Sequence, residues 1–484
     1  MNGIALPSFI AVMPEIVVLA GACLVLLVDL FVSDNRRHVS YWLTQLVLLV
    51  AACVTIRTAQ TDIVKAFRNM VVDDMLADFL RLSCFISVSL MLFYSRSYLT
   101  ARGLFRGETF VLTLFALLGM QVMVSGNNFL TLYLGLELLS LSLYAMVALD
   151  RDHQGAAEAA MKYFVLGALA SGMLLYGLSM IYGATGSLDI DLVARSVLGK
   201  QANALLLTFG LVFIVSGIAF KLGAAPYHMW VPDVYQGAPT AITLLIGTAP
   251  KLAAFALTIR LLSAALQGTA FDWQGMLIVL SLLSMVLGNL IAIAQTNIKR
   301  MLAYSTIANM GFMLLGFLTA DLNGFSAAMF YTVAYVFTSL ASFGMVMLLS
   351  RSGFECELLD DFKGLNQRAP WWAFIMLLVM FSLAGLPPTV GFYAKFSVIE
   401  AAVNAGFTWL AVVAVLTSLI GAFYYLRVVK LMYFDDPLDR TPLDTRGDTR
   451  VLLSTNGVLL LLLGILPQPL MGLCVIALTQ SHFL

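Results

Sequence analysis

Apolar residues in this chain come in long runs rather than in alternation. A run of about 17 or more apolar residues is long enough to cross a bilayer as a helix. Fourteen such runs are read along the sequence: 8–32, 40–57, 75–95, 109–125, 128–149, 160–183, 204–225, 240–262, 274–295, 301–319, 325–350, 371–403, 407–432 and 451–478. No stretch alternates long enough to build a membrane barrel. The pattern predicts an all-α polytopic membrane protein of about fourteen transmembrane helices.

Two runs carry interruptions. The run 371–403 holds 33 residues. As one helix it would be about 50 Å long, against a hydrocarbon core of about 30 Å. Leu386-Pro387-Pro388 stands in its middle, and two missing amide hydrogens must interrupt the helix. Span 7 runs into Pro226, Pro232 and Pro239. Helices 7 and 12 are therefore expected to be broken, as backbone buried in protein or lining a cavity can be. The two breaks lie five spans apart. Five is odd, so corresponding spans run in opposite directions, which suggests an inverted repeat. The expected segments are 1–108 with three helices, 109–265 as the first five-helix unit, 266–432 as the second, and 433–484 with a polar loop and the last helix.

Charge sharpens this plan. The chain has 27 Lys+Arg and 27 Asp+Glu. Loops after odd-numbered spans hold seventeen of the basic residues, from Arg36 and Arg37 through Arg440, Arg446 and Arg450. The opposite loops hold six: Arg57, Lys65, Arg68, Arg195, Lys200 and Arg260. Basic loops stay inside, so both termini are expected outside. Four basic residues remain within spans: Arg81, Lys221, Lys251 and Lys395, joined by Glu137 in span 5. Such a charge costs roughly 2.5–3.5 kcal/mol at the bilayer centre and marks a polar interior or a water-filled route.

Composition excludes other classes. Apolar residues make up 61% and charged residues 11%, against roughly 45–50% and 25% in soluble domains. A soluble enzyme is ruled out, and zero net charge offers no surface for nucleic acid. The five cysteines and the four histidines, His38, His153, His228 and His482, are scattered, and no Gly-x-Gly occurs. No metal site or bound cofactor is expected in this chain. The first run lacks a basic n-region and contains Pro14-Glu15. It is therefore expected to be a retained span rather than a signal peptide.

The buried charges are the candidate chemistry. Glu137 is a proton-carrying carboxylate or the partner of a lysine. Lys221, held between desolvation and that carboxylate, could exchange a proton when its partner moves. Lys251 lies midway along span 8 and Lys395 just past the double proline. Arg81 is always protonated and cannot relay; a structural pair with Asp74 or Asp78 is expected. His228 and Asp233, on the inner loop after span 7, are candidates for an inner-side relay or for cap and hinge residues. Lys299 and Arg300 are accounted for as inside-loop charges.

The stretch Phe220-Lys221, then Pro226-Tyr227-His228-Met229-Trp230-Val231-Pro232-Asp233-Val234-Tyr235-Gln236-Gly237-Ala238-Pro239-Thr240, resembles the antiporter-like subunits of proton-pumping NADH–quinone oxidoreductase, respiratory complex I. The Tyr-Gln-Gly-Ala-Pro-Thr variant and the lysine at 395 resemble the N branch more than its paralogues L and M. Lys299-Arg300-Met301-Leu302-Ala303-Tyr304-Ser305 and Ala384-Gly385-Leu386-Pro387-Pro388-Thr389 agree with it. The resemblance implies two inverted five-helix repeats, with Glu137, Lys221, Lys251 and Lys395 as the proton-translocating residues and breaks at Pro226, Pro387 and Pro388. It implies a bacterial inner membrane location. It implies partners among the complex's membrane subunits, including subunit M and the small ones, and contact with lipid. NADH, FMN, iron–sulfur clusters and quinone would belong to partner subunits. A subunit of a multisubunit sodium/proton antiporter shares the Lys-x4-Pro signature and is the rival reading; a purely structural role for the buried charges is a third.

Overall fold

The computed structural model describes residues 9–481 apart from 201, 440, 442, 444 and 445. Arg440, His482 and the first residue of span 1 lie outside the described residues. The architecture is helical. In chain order the helices are α1 (Met13–Asp29), α2 (His38–Thr58), α3 (Met75–Ala101), α4 (Gly107–Ser125), α5 (Phe129–Val147), α6 (Gln154–Thr185), α7 (Ile190–Leu198), α8 (Ala204–Leu222), α9 (Trp230–Gly237), α10 (Thr240–Ile246) and α11 (Ala249–Thr258). They continue as α12 (Ala270–Ile293), α13 (Ile298–Phe317), α14 (Leu322–Leu349), α15 (Pro370–Ala384), α16 (Val390–Asn404), α17 (Thr408–Phe434), α18 (Gly447–Ile465) and α19 (Gln468–Gln480). A hairpin of β1 (Val64–Ala66) and β2 (Val71–Asp73) joins α2 to α3. Eleven helical segments among the described residues are long and apolar enough to cross a membrane. This is a multi-pass membrane protein.

Helix starts follow the capping rule that a side-chain oxygen accepts from a first-turn amide. Asp74, Asn128, Asn297 and Asp321 do this at the starts of α3, α5, α13 and α14. Two of these caps repeat one local plan. Phe129 donates its amide to Leu188 and Ile298 donates its amide to Glu357, at 3.0 and 2.7 Å. Each pins the start of a helix to a later loop. The preceding helix packs against backbone in both places. A Cβ on Gly119 would stand 2.5 Å from the Leu139 amide, and one on Gly288 would stand 2.7 Å from that of Ala308.

The centre of the molecule is the segment Thr240–Ala265 with α14, both buried along nearly their whole length. The expected break near Pro226 falls at 223–229, and the one at Pro387-Pro388 separates α15 from α16. Two further breaks were not expected. Span 8 is split at Gly247-Thr248 between α10 and α11, and its tail 259–265 relaxes into a wider turn. Span 14 is split between α18 and α19, where Pro467 cannot donate to the ladder.

Two charge assignments are corrected. Arg260 is not a loop residue: it is buried, donates to Val124 O at 2.7 Å, and pairs with buried Asp74 at 3.1 Å. Asp74 is therefore not a partner of Arg81. The fully buried Arg81 binds Glu15 at 2.7 Å, Asp78 at 3.3 Å and Asp73. Lys299 is likewise buried, bridged to Glu357 at 2.8 Å, and is more than an inside-loop charge.

Candidate functional site

The two broken helices end alike. α8 finishes at Gly223 with φ +79°, and α15 at Gly385 with φ +80°. Each glycine closes a Schellman turn: the Ala224 amide returns to Ala219 O at 2.8 Å and the Leu386 amide to Phe381 O at 2.9 Å. Glycine occupies this left-handed corner without a Cβ penalty. The proline three residues on, Pro226 or Pro388, stops the helix from resuming in place. What remains is a helix C-terminus buried inside the helical bundle. Its last carbonyls have no intrahelical partner, and the helix dipole places negative potential there.

A lysine sits on each of these ends. Lys251 Nζ donates to Leu222 O at 2.9 Å and to Lys221 O at 3.5 Å. Lys395 Nζ donates to Ala384 O at 2.9 Å, Leu383 O at 3.1 Å and Ser418 Oγ at 3.0 Å. Both lysines are buried, and each also faces an aromatic ring: Trp230 at 5.7 Å for Lys251 and Phe312 at 5.0 Å for Lys395. Among the described residues neither forms an ion pair with a carboxylate. Their charge is met by dipoles alone. Such an ammonium can give up its proton without stranding a counter-ion.

Lys221 is held differently. It is half-buried, and its Nζ donates to Ser140 Oγ at 2.7 Å. Glu137 lies one turn before Ser140 on α5, near Lys221 but not in a direct ion pair with it, and the Ser140 hydroxyl itself donates to Leu136 O at 2.5 Å. Glu137 Oε1 is buried with no hydrogen-bond partner in the structure. Lys251 reaches the carbonyl of Lys221 itself, so the first three candidates form one neighbourhood around the α8 end.

Lys395 stands apart, on α16, which also packs on α14. It lines a cavity of about 10 Å3 with Asn309, Tyr331, Tyr335, Thr338 and Ser382, about the room that one water needs. Hydroxyls and amides run on from it. Tyr331 donates to Asn309 at 2.6 Å, Tyr335 to Thr306 at 2.7 Å, and Ser305 shares a bond with Tyr425 at 2.5 Å. These side chains were not singled out from sequence. Their signal was present: Tyr331, Tyr335 and Thr338 recur at helical spacing on one face of α14.

His228 and Asp233 do not join the lysines. Asp233 on α9 is bridged by Lys162 and Arg300, each at 2.8 Å. Partial burial alone would raise its carboxyl, but the bonds from Lys162 and Arg300 outweigh that and hold it below the usual range. The residue clamps α9 to α6 and α13. His228 Nδ1 is buried without a hydrogen-bond partner. No three His, Cys, Asp or Glu side chains converge as metal ligands among the described residues.

Residues 126–421 match the family described as NADH:quinone oxidoreductase/Mrp antiporter, TM. The NADH-quinone oxidoreductase subunit N of Thiobacillus denitrificans is 58% identical over 478 residues, covering 99% of each chain. A chain of respiratory complex I from Thermus thermophilus with bound aureothin is 31% identical with a TM-score of 0.81, covering 96% of this chain and 99% of that one. A chain of the Mrp complex from Dietzia sp. is 20% identical with a TM-score of 0.84, covering 98% and 97%, and shares the fold.

Proposed function

Because the chain belongs to the subunit N family of NADH–quinone oxidoreductases and is a proton-translocating membrane subunit of respiratory complex I, we propose that its protons pass among Lys221, Lys251 and Lys395, with Glu137 biasing the first. The observation that carries this is the pair of lysines seated on the carbonyls of broken helices. Lys221 and Lys251 share the α8 end. α11, which bears Lys251, packs on α14, and the hydroxyls of α14 face Lys395. Water along that face completes the row.

Driving one charge against 100 mV takes about 2.3 kcal/mol. Oxidation of NADH elsewhere in the complex supplies this by shifting Glu137 relative to Ser140 and Lys221. FMN, iron–sulfur clusters and quinone act in partner subunits, and this chain contributes proton-carrying side chains only.

The architecture behind this reading has fourteen crossings. α1, α13 and the α15–α16 pair add three to the eleven long apolar segments. Two five-helix repeats, 109–265 and 266–432, run in opposite senses, flanked by 1–108 and 433–484. Support comes from the matching asparagine caps, the matching glycine contacts and the matching Schellman breaks. Asn309 follows its cap Asn297 by the same twelve residues as Ser140 follows Asn128. The arginine-rich face lies toward the cytoplasm of a bacterial inner membrane, with both termini on the periplasmic side. Neighbours are subunit M, the small membrane subunits and lipid.

The test is Lys251→Ala and Lys395→Ala in the whole complex. We expect assembled complexes whose proton uptake per NADH oxidised falls. Normal assembly, normal oxidation and unchanged stoichiometry in both would refute the role.

A further inference from the structure

A groove between α2, α3 and the start of α18 takes no part in this row of lysines. Its volume is about 540 Å3. Trp42, Leu46 and Leu49 of α2 face Ile86 and Phe93 of α3, and Leu452 of α18 closes one end. The spacing on α2 and on α3 puts each set on one helix face. Trp42, Leu46, Leu49 and Ile86 are each about half exposed.

The wall chemistry argues against a missing helix. Helices that pack in membranes meet through small residues that let backbones approach, as Gly119 does here against α5. Ala52 and Ser89 are the small residues in this groove, and Ser89 is turned to Gln45 at 2.7 Å; the rest of the wall is tryptophan, phenylalanine, leucine and isoleucine, which hold a second backbone away but leave room for an acyl chain.

The closed end carries charge. α18 is bound there: Tyr94 donates to Leu452 O, and Thr449 to Phe93 O, both at 3.3 Å. Arg96 follows Phe93 by one turn, and its guanidinium lies 4.8 Å from the Tyr41 ring and 5.5 Å from that of Trp42. Arg96 and Arg446 share a single carboxylate, Asp448, at 3.7 and 3.5 Å. Arg450 is exposed one turn further along α18. Two guanidinium groups thus share one carboxylate, with a third exposed arginine close by in sequence. A second cavity of about 200 Å3 opens beside them, lined by Tyr94, Arg446 and Thr449. The guanidinium fork matches phosphate oxygens, and arginine with tryptophan is the pairing found at headgroup depth.

We propose that this groove binds one anionic phospholipid, with an acyl chain along Trp42, Leu49 and Ile86 and its phosphate at Arg96 and Arg446. The lipid would tie the chain's first helices to its last ones. It goes beyond the proton role, and its variants leave Glu137 and the three lysines untouched.

The test measures phospholipid retained by the purified, detergent-washed complex, by quantitative mass spectrometry. Wild type is expected to keep one more anionic phospholipid than Arg96→Gln/Arg446→Gln or the groove-filling Leu46→Trp. Equal retention in all three overturns the proposal. A photo-crosslinking residue in place of Leu49 gives a readout that does not depend on the arginine variants assembling. Capture of phospholipid supports the site, and capture of another subunit instead overturns it.

Discussion

Replacing Gly385 by alanine tests whether the helix end at 385 holds Lys395, the lysine proposed to carry protons. The new Cβ would stand 2.7 Å from Lys395 Cδ and 3.4 Å from its Nζ. Carbon atoms rest about 3.5–4.0 Å apart, so the lysine stem must retreat by about 1 Å. Its bonds to Ala384 O and Leu383 O, now 2.9 and 3.1 Å, would then pass the useful limit of about 3.2 Å. Losing one charge-assisted bond costs about 1.5–3 kcal/mol. At tenfold per 1.4 kcal/mol, that is about a ten- to hundredfold loss of the seated lysine. Alanine also pays roughly 1–2 kcal/mol for the left-handed corner itself. Gly406 separates the two effects. It has φ +88°, and a Cβ there would meet nothing within 4 Å, so Gly406→Ala pays the backbone cost alone. The assay is the rate of NADH-driven proton uptake in inverted membrane vesicles, normalised to assembled complex. Gly385→Ala is expected to assemble and to lose about tenfold or more of its uptake rate, with Gly406→Ala near wild type. If Gly385→Ala pumps at the wild-type rate, or Gly406→Ala fails equally, the reasoning is wrong.

Three further outcomes follow from the same structure. Ser140→Ala removes the hydroxyl that holds Lys221 and is expected to cost about 1.5–3 kcal/mol of that placement, read as slowed proton uptake; Ser140→Asn, which borrows the amide found at Asn309, should recover part of it. Arg260→Met strands Asp74 in a buried site at a cost of about 3–5 kcal/mol, read as loss of the complex on blue-native gels, and adding Asp74→Asn, which removes the charge but keeps the cap on α3, should restore part of it. In the loop after α17, bonds from the Thr441 amide and hydroxyl, with Arg368 and Arg351 nearby, pull the Asp439 carboxyl down to about 2. A lowered carboxyl stabilises above its unfolded value of about 3.9 and loses that effect as pH falls through its folded one. Pepsin should therefore cut this loop faster as pH drops from about 4 toward 2, whereas Asp439→Asn should show no such rise.

Much of the site could be read along the chain because its cause is local. Proline pairs break helices wherever they fall, and a lysine amid apolar neighbours is visible without any fold. Lys251, Lys395 and the two main breaks were legible for that reason. Arg260 was not, because it stands near the end of an apolar run, where loop and helix look alike; only Asp74, 186 residues away in sequence, shows that it is buried. The split at Gly247-Thr248 escaped because a single glycine is common inside spans. The hydroxyl face of α14 looked like ordinary filling, since tyrosine and threonine are apolar enough for a span and only their partners on α13 and α15 give them meaning.

The atoms that seat Lys251 and Lys395 belong to the main chain. No side-chain replacement at Leu222, Leu383 or Ala384 deletes a carbonyl, so scanning those buried positions would report their packing and not the seat. Sequence drift can pass over such a seat while the geometry endures. Its vulnerability is concentrated in the two glycines and the prolines that follow them, which carry no charge and touch no proton.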